Sequence, residues 1–265
     1  MKSYNKIYKF VICGVAAAMV SGCSLDYDPL STPSEITEGV QTDTTTAVLK
    51  DKAAAENQLK ALYELFRNRQ EHSHLDILLV GDVYSDNAYA GTTGAEVQPF
   101  ENNSIDASNT VLARDWSRYL EDIAKANVLI VGAEQLYENG GLTESEYHSY
   151  KAQGEIFRAL QMFPMARLWG SFPVITNISK TITSENIDEV YPTYYPPRST
   201  SEECYQQIIN DLLDAEKYAP DFDSSDRTIM SKTVAQALLA KVYAEKPVQD
   251  YSKVIEYAEK VRATA

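Results

Sequence analysis

Residues 150–175 read YKAQGEIFRALQMFPMARLWGSFPVI. Tyr150, Gly154, Phe157, Gln161, Met165 and Leu168, mostly apolar or small, step along this stretch by threes and fours, which writes one face of a helix. Thr143 stands three residues before Glu146, a capping-box pattern that starts the helix by satisfying orphan N–H groups. Gly154 removes a side chain from that face and lets a second helix come close, against a cost of roughly 1 kcal/mol relative to alanine. Pro164 cannot donate to the carbonyl four residues back, so a bend is expected near Leu160. Trp169-Gly170 ends the helix, with Gly170 suited to a left-handed cap, and Phe172-Pro173-Val174-Ile175 leaves as an extended segment.

The run Gly154-Glu155-x-Phe157-Arg158-Ala159-Leu160, followed by Arg167-Leu168-Trp169-Gly170-x-x-Pro173-Val174-Ile175, resembles the hallmark of the SusD/RagB family of nutrient-binding outer-membrane lipoproteins. Phe163-Pro164 departs from the small or aromatic residues usual there. Three further stretches strengthen the resemblance. The first is Trp116-x-x-Tyr119-x-x-x-Ile123-x-x-Ala126-Asn127. The second is Arg198-Ser199-Thr200-x-Glu202-Glu203-x-Tyr205-x-x-Ile208-Ile209-x-Asp211-Leu212. The third runs from Arg227-Thr228 through Ser231-Lys232, Ala235 and Ala237-Leu238-Leu239-Ala240 to Val242-Tyr243. The resemblance implies an all-α fold of tetratricopeptide-like helical hairpins with long irregular loops. It covers essentially the whole chain, but family members are considerably longer, so their C-terminal portion is expected to be missing.

Residues 1–22 carry Lys2, Lys6 and Lys9, no acid, and an apolar run from Phe10 to Val20. A basic start before a run of this size reads as a secretory signal, too short to span a membrane. It ends in Val20-Ser21-Gly22-Cys23, which resembles a bacterial lipobox, so Cys23 is the expected lipid attachment site. Several acyl chains at ~0.8 kcal/mol per buried CH₂ make such an anchor durable. Residues 23–48 read as a flexible tether of Asp, Pro, Ser and Thr. Asp26-Tyr27-Asp28 within it is similar to the acidic signals that send such lipoproteins to the cell surface.

The chain holds 24 basic and 38 acidic residues, and loss of the three signal-segment lysines leaves it near −17. No surplus of cations exists to release phosphate counterions, which argues against nucleic acid. Cys13 leaves with the signal and Cys23 with its lipid, so Cys204 has no disulfide partner. No Cys/His spacing suits a metal, and His72 and His74 read as a plain surface pair on a loop. No cofactor motif or nucleophile motif is present, and no pair of carboxylates is singled out for glycoside hydrolysis. The chain is read as a binding protein and not an enzyme.

Residues 49–265 read as the helical domain. Ala55, Leu59, Leu62, Tyr63 and Phe66 mark a first helix, and Trp116, Tyr119, Ile123 and Ile130 a second whose stripe places Trp116 in the core. Thr200 and Glu203 make another capping box ahead of the stripe Tyr205, Ile208, Leu212, Ala215 and Ala219. Asp250 caps a last helix with Tyr251, Val254, Ile255, Ala258 and Val261 on one face, and the final two helices form a hairpin. Residues 178–197, rich in Tyr and Pro, read as a packed loop or a partner-docking surface.

Between Leu75 and Leu112 periodicity fades into a long polar loop bearing Tyr84, Tyr89, Phe100, Asn102 and Asn103. Aromatic faces stack on the C–H face of a pyranose and amides pair with its hydroxyls. The same aromatics would equally pin the loop to the core. The family's glycan contacts commonly lie in the corresponding insert, so these five are the candidate ligand residues. The resemblance further implies capture of an oligosaccharide over a SusC-like TonB-dependent transporter in the outer membrane, facing outside. Capture of a peptide or another nutrient, or a helical scaffold that binds only protein, are the alternatives.

Overall fold

The computed structural model describes residues 48–91 and 93–264. Residues 1–47, and with them the secretory segment, Cys23 and all but the last residue of the tether, lie outside the described residues. Six helices of three turns or more carry the architecture: α1 (Lys52–Asn68), α2 (Thr110–Glu138), α3 (Glu144–Trp169), α4 (Ser201–Tyr218), α5 (Lys232–Ala244) and α6 (Tyr251–Thr264). There is no strand among the described residues. α2 and α3 form a long antiparallel hairpin, α4 packs on the far side of α3, and α5 with α6 makes a second hairpin against α4. The all-α expectation holds.

α3 is the axis of this stack, and it departs from the single striped face read in its sequence. From Ala152 to Ala166 only Leu160 and Pro164 escape full burial, so the helix is enclosed on all sides. α2, α4, α1 and α5 all touch it. A helix covered all round loses its amphipathic contrast, and here polar residues occupy sites that an apolar stripe does not explain. Thr143 and Glu146 form the capping box at its start. Gly170 ends it at φ 74° and ψ −46°, and the Ser171 N–H closes a tight turn on the Trp169 carbonyl at 2.8 Å. Phe172, wholly buried, then leads the chain out beside the start of α4, where its carbonyl accepts from the Ser199 N–H at 3.1 Å.

Gly154 lies where α3 crosses α2. A Cβ there would stand 2.8 Å from Ile130 Cγ1 and 3.6 Å from the Ala126 carbonyl. The helices approach because that atom is absent. Gly154→Val is expected to lower unfolding free energy by about 1–3 kcal/mol through overpacking, despite the better helix propensity of valine. Urea denaturation with an unchanged m-value would check it.

Buried polar side chains lock three helices together. Arg158 of α3 donates Nε and Nη2 to the two carboxylate oxygens of Asp211 in α4, at 2.8 and 2.7 Å. Its Nη1 donates to Asn127 Oδ1 of α2 at 2.8 Å. Asn127 Nδ2 in turn donates to the Ile175 carbonyl at 2.9 Å, which fixes the exit segment. Each of these side chains is at most 5% exposed, and the bidentate fork matches guanidinium to carboxylate. At the other edge, Tyr63 of α1 packs edge-on against Phe157 and donates its hydroxyl to Gln153 Oε1 at 3.0 Å.

Val48 and Leu49 pack on α2: the Val48 N–H donates to Gln135 Oε1 at 3.0 Å, and Leu49 is buried beside Gly132. One expectation changes in the last helix. In α6 the buried ring is Tyr257, whereas Tyr251 and Ile255 of the expected stripe are 61% and 65% exposed. Tyr257 stacks on Tyr243 of α5 and reaches Glu216 of α4 with its hydroxyl at 3.3 Å. A tyrosine with a polar handle wins that face over the aliphatic residues. Asp250 caps α6 as expected, its carboxylate accepting from the Lys253 N–H at 3.1 Å.

Candidate functional site

The segment between α1 and α2 is helical further than its sequence suggests. Glu71–Leu75 and Leu79–Val83 are wide π-type turns flanking one α-turn, Asp76–Leu78. Charges hold this irregular rod on α2. Arg69 meets Glu121 at 2.6 Å and Asp122 at 2.8 Å, Arg118 meets Glu71 at 2.8 Å, and Arg114 bridges Asp76 and Asp115. Asp115 is pushed up to about 7, by burial first and by the neighbouring Asp76 carboxylate second, with Arg114 opposing.

His72 is not on a surface loop. It is wholly buried, edge-on to Tyr119 at 4.7 Å, with Nε2 3.3 Å from Asp122 and its carbonyl accepting the Tyr119 hydroxyl at 2.6 Å. The charged neighbours supply what the sequence spacing of two histidines could not show.

Past Val83 the chain enters the long loop. Val83, Phe100 and Val111 form a small second core that pins it. Phe100 is 0% exposed, so its ring offers no face to a ligand in this conformation. Tyr84 and Tyr89 are 44% and 80% exposed, and Asn102 and Asn103 are exposed. The Ala90 N–H donates to Glu101 Oε2 at 3.1 Å, which ties the backbone beside Tyr89 to the turn bearing Asn102. Asn103 sits at φ 52°, a left-handed position that asparagine tolerates. Asn109 closes the loop by capping α2 and donating Nδ2 to the Glu96 carbonyl at 2.9 Å. Four of the five candidates therefore present side chains to solvent from a braced loop, and the fifth does the bracing.

Sequence reasoning missed a neighbouring feature. An open groove of about 660 Å3 lies beside the loop, and Ile105, Asp106, Trp116, Trp169, Pro173 and Arg198 are among the residues that line it. The tryptophan rings meet edge-to-face at 5.3 Å, and the Arg198 guanidinium lies 5.7 Å from the Trp116 ring. Trp116 is half-buried: it touches the core, as its spacing indicates, and also walls the groove. Trp169-Gly170 and Arg198 were legible as motif members, but only folding brings them together.

The Tyr/Pro segment packs through Val190, 2% exposed, and through the Tyr194 hydroxyl, which donates to the Lys180 carbonyl at 2.8 Å. Tyr191 and Tyr195 remain exposed. Among the described residues no cluster of His, Cys, Asp and Glu could hold a metal ion, and no helix is long and apolar enough to cross a membrane.

Residues 39–244 match the model of the SusD-like family described as starch-binding and associating with outer membrane. A SusD-like protein of Bacteroides ovatus is 24% identical over 175 residues, 65% of this chain and 29% of that protein. A laminarin-binding SusD-like protein superposes with a TM-score of 0.64 at 23% identity, covering 80% of this chain and 43% of the other. Surface glycan-binding protein A of Bacteroides fluxus gives 0.62 at 21% identity, covering 78% and 42%. At these identities the structural likeness speaks for the fold, and the chain spans less than half the length of each of these relatives. With the family match extending over most of its length and the helical stack in common, this chain belongs to the SusD-like family.

Proposed function

We propose that this chain belongs to a nutrient-capture lipoprotein that holds oligosaccharide reversibly at the braced loop between α1 and α2. The observation that carries the reading is the loop itself: Tyr84 and Tyr89 expose their rings on the same braced loop that exposes the amides of Asn102 and Asn103. Rings cover the apolar face of a pyranose while amides donate to and accept from its hydroxyls. Relatives described as laminarin-binding and surface glycan-binding share the framework. Binding without bond chemistry fits this arrangement, because no carboxylate pair lies among the candidate residues.

In this reading Cys23 carries the lipid, the protein faces outside, and a SusC-like TonB-dependent transporter receives the ligand. Tethering keeps the binding surface near the pore and raises its effective concentration there. Calorimetric titration with a panel of oligosaccharides and peptides tests the ligand class. Saccharide binding is expected to fall severalfold in Tyr89→Ala, which removes the apolar ring face that covers the sugar's C–H groups. Peptide binding alone would replace the glycan reading. Cys23→Ala is expected to release the protein from the outer-membrane fraction, and a variant that still fractionates there would remove the anchor assignment.

A further inference from the structure

One wall of α3 carries a buried polar atom for which the described residues supply no partner. Gln161 is only 4% exposed, and its Oε1 has no hydrogen-bond partner. Pro164 has no N–H to close on the carbonyl of Leu160, four residues back. Leu160, Gln161 and Pro164 line one cavity of about 210 Å3 between α1, α3 and α5, with Phe66, Phe163 and Leu238 as its apolar walls. Past Pro164 and Arg167 this cavity meets a wider groove of about 460 Å3. An unpaired buried amide costs about 1–3 kcal/mol, and each such group calls for an explanation.

The rim is cationic in a chain whose net charge is −14. Lys241 is exposed, lines the cavity and forms no ion pair among the described residues. Arg167 lines it too, with its charge met by Glu245 at 3.1 Å. One uncompensated positive charge therefore faces the opening. None of these residues belongs to the loop of Tyr84 and Tyr89.

We infer that this cavity is a second saccharide site, specific for a single sugar unit bearing a carboxylate, such as a uronic acid within a longer glycan. The inference rests on the glycan-binding reading above. The Gln161 amide donates to one ring hydroxyl and accepts from another. Phe163 and Phe66 meet the C–H face, and the Lys241 ammonium takes the carboxylate. The cavity is smaller than the ~300–1,000 Å3 of drug-sized sites, which suits one ring, and the adjoining groove receives the next unit.

Calorimetry with digalacturonate and its uncharged digalactose counterpart tests this. The wild-type chain is expected to prefer the acidic dimer at least tenfold. Lys241→Gln, at an exposed position, is expected to abolish that preference without moving the melting temperature. Gln161→Leu fills the same volume without polar atoms and is expected to lose the acidic dimer altogether; should it fail to fold, Lys241→Gln decides. Neutral-oligosaccharide binding with no acidic preference overturns this inference and leaves the proposed function standing. Absence of binding by any saccharide overturns both. A crystal soaked with digalacturonate that shows only an ordered water on Gln161 also overturns the second site.

Discussion

Arg158→Met is expected to destabilise the protein by about 3–5 kcal/mol, because it leaves the Asp211 carboxylate buried without its countercharge. Asp211 is 2% exposed and keeps only Gln207 Nε2, at 2.7 Å, as a remaining donor. Asn127 Oδ1 loses its donor at the same time. The variant's effect should shrink sharply when Asp211→Leu is added, since removing both charges eliminates the stranded one. Guanidinium denaturation of the two single variants and the double one gives that coupling directly. Equal and additive losses would mean that the pair contributes through packing alone.

Glu155→Gln is expected to change how stability depends on pH. Burial raises the Glu155 carboxyl to about 8, against the favourable Lys151 ammonium 3.2 Å away, with the Asp211 and Asp214 carboxylates raising it further. Lys151 is shared with Asp214, and Glu155 Oε2 has no partner, so the desolvation cost wins. The folded form thus keeps a proton that the unfolded chain releases near its ordinary value of about 4.5. Stability from this group is full below that pH, falls as pH rises toward about 8, and is flat above, with a slope of at most ~1.4 kcal/mol per pH unit. Glutamine mimics the neutral form at every pH, so the variant should gain on wild type between pH 5 and 8. Asp115, raised to about 7, adds a slope of the same sign that this substitution leaves in place. Urea titrations at the two pH values check the result, and parallel profiles for variant and wild type would contradict it.

How far the sequence revealed this fold differs between local and assembled features. Both capping boxes, the Gly154 crossing and the Asp250 cap were readable, because each depends on a few neighbouring residues; at Gly170 the positive φ was readable, but the chain makes a tight three-residue turn there in place of the expected left-handed cap. The motif polar residues were read only for position. Asn127, Arg158 and Asp211 belong to three separate hallmark stretches, and their meeting is a property of the packed stack. Periodicity failed in α3, where enclosure leaves little contrast between faces, and only partly held in α6, where Tyr257 is buried, Val254 and Val261 are half-buried and Ile255 is exposed. At the site, composition marked the loop as aromatic but missed the helical turns at residues 76–83 and at Gln98–Glu101, and it could not separate Phe100, which anchors the loop from within, from Tyr89, which is exposed. The Trp116–Trp169–Arg198 groove required three distant segments to converge and had no local signature.

The proposed role of this helical frame is to hold a sugar against the loop between α1 and α2. The most direct test is a crystal of the chain soaked with the uncharged oligosaccharide that binds tightest in titration. A pyranose is expected to lie on the Tyr89 or Tyr84 ring with hydroxyls within hydrogen-bond reach of Asn102 or Asn103. Sugar bound elsewhere, with that loop bare, would contradict it.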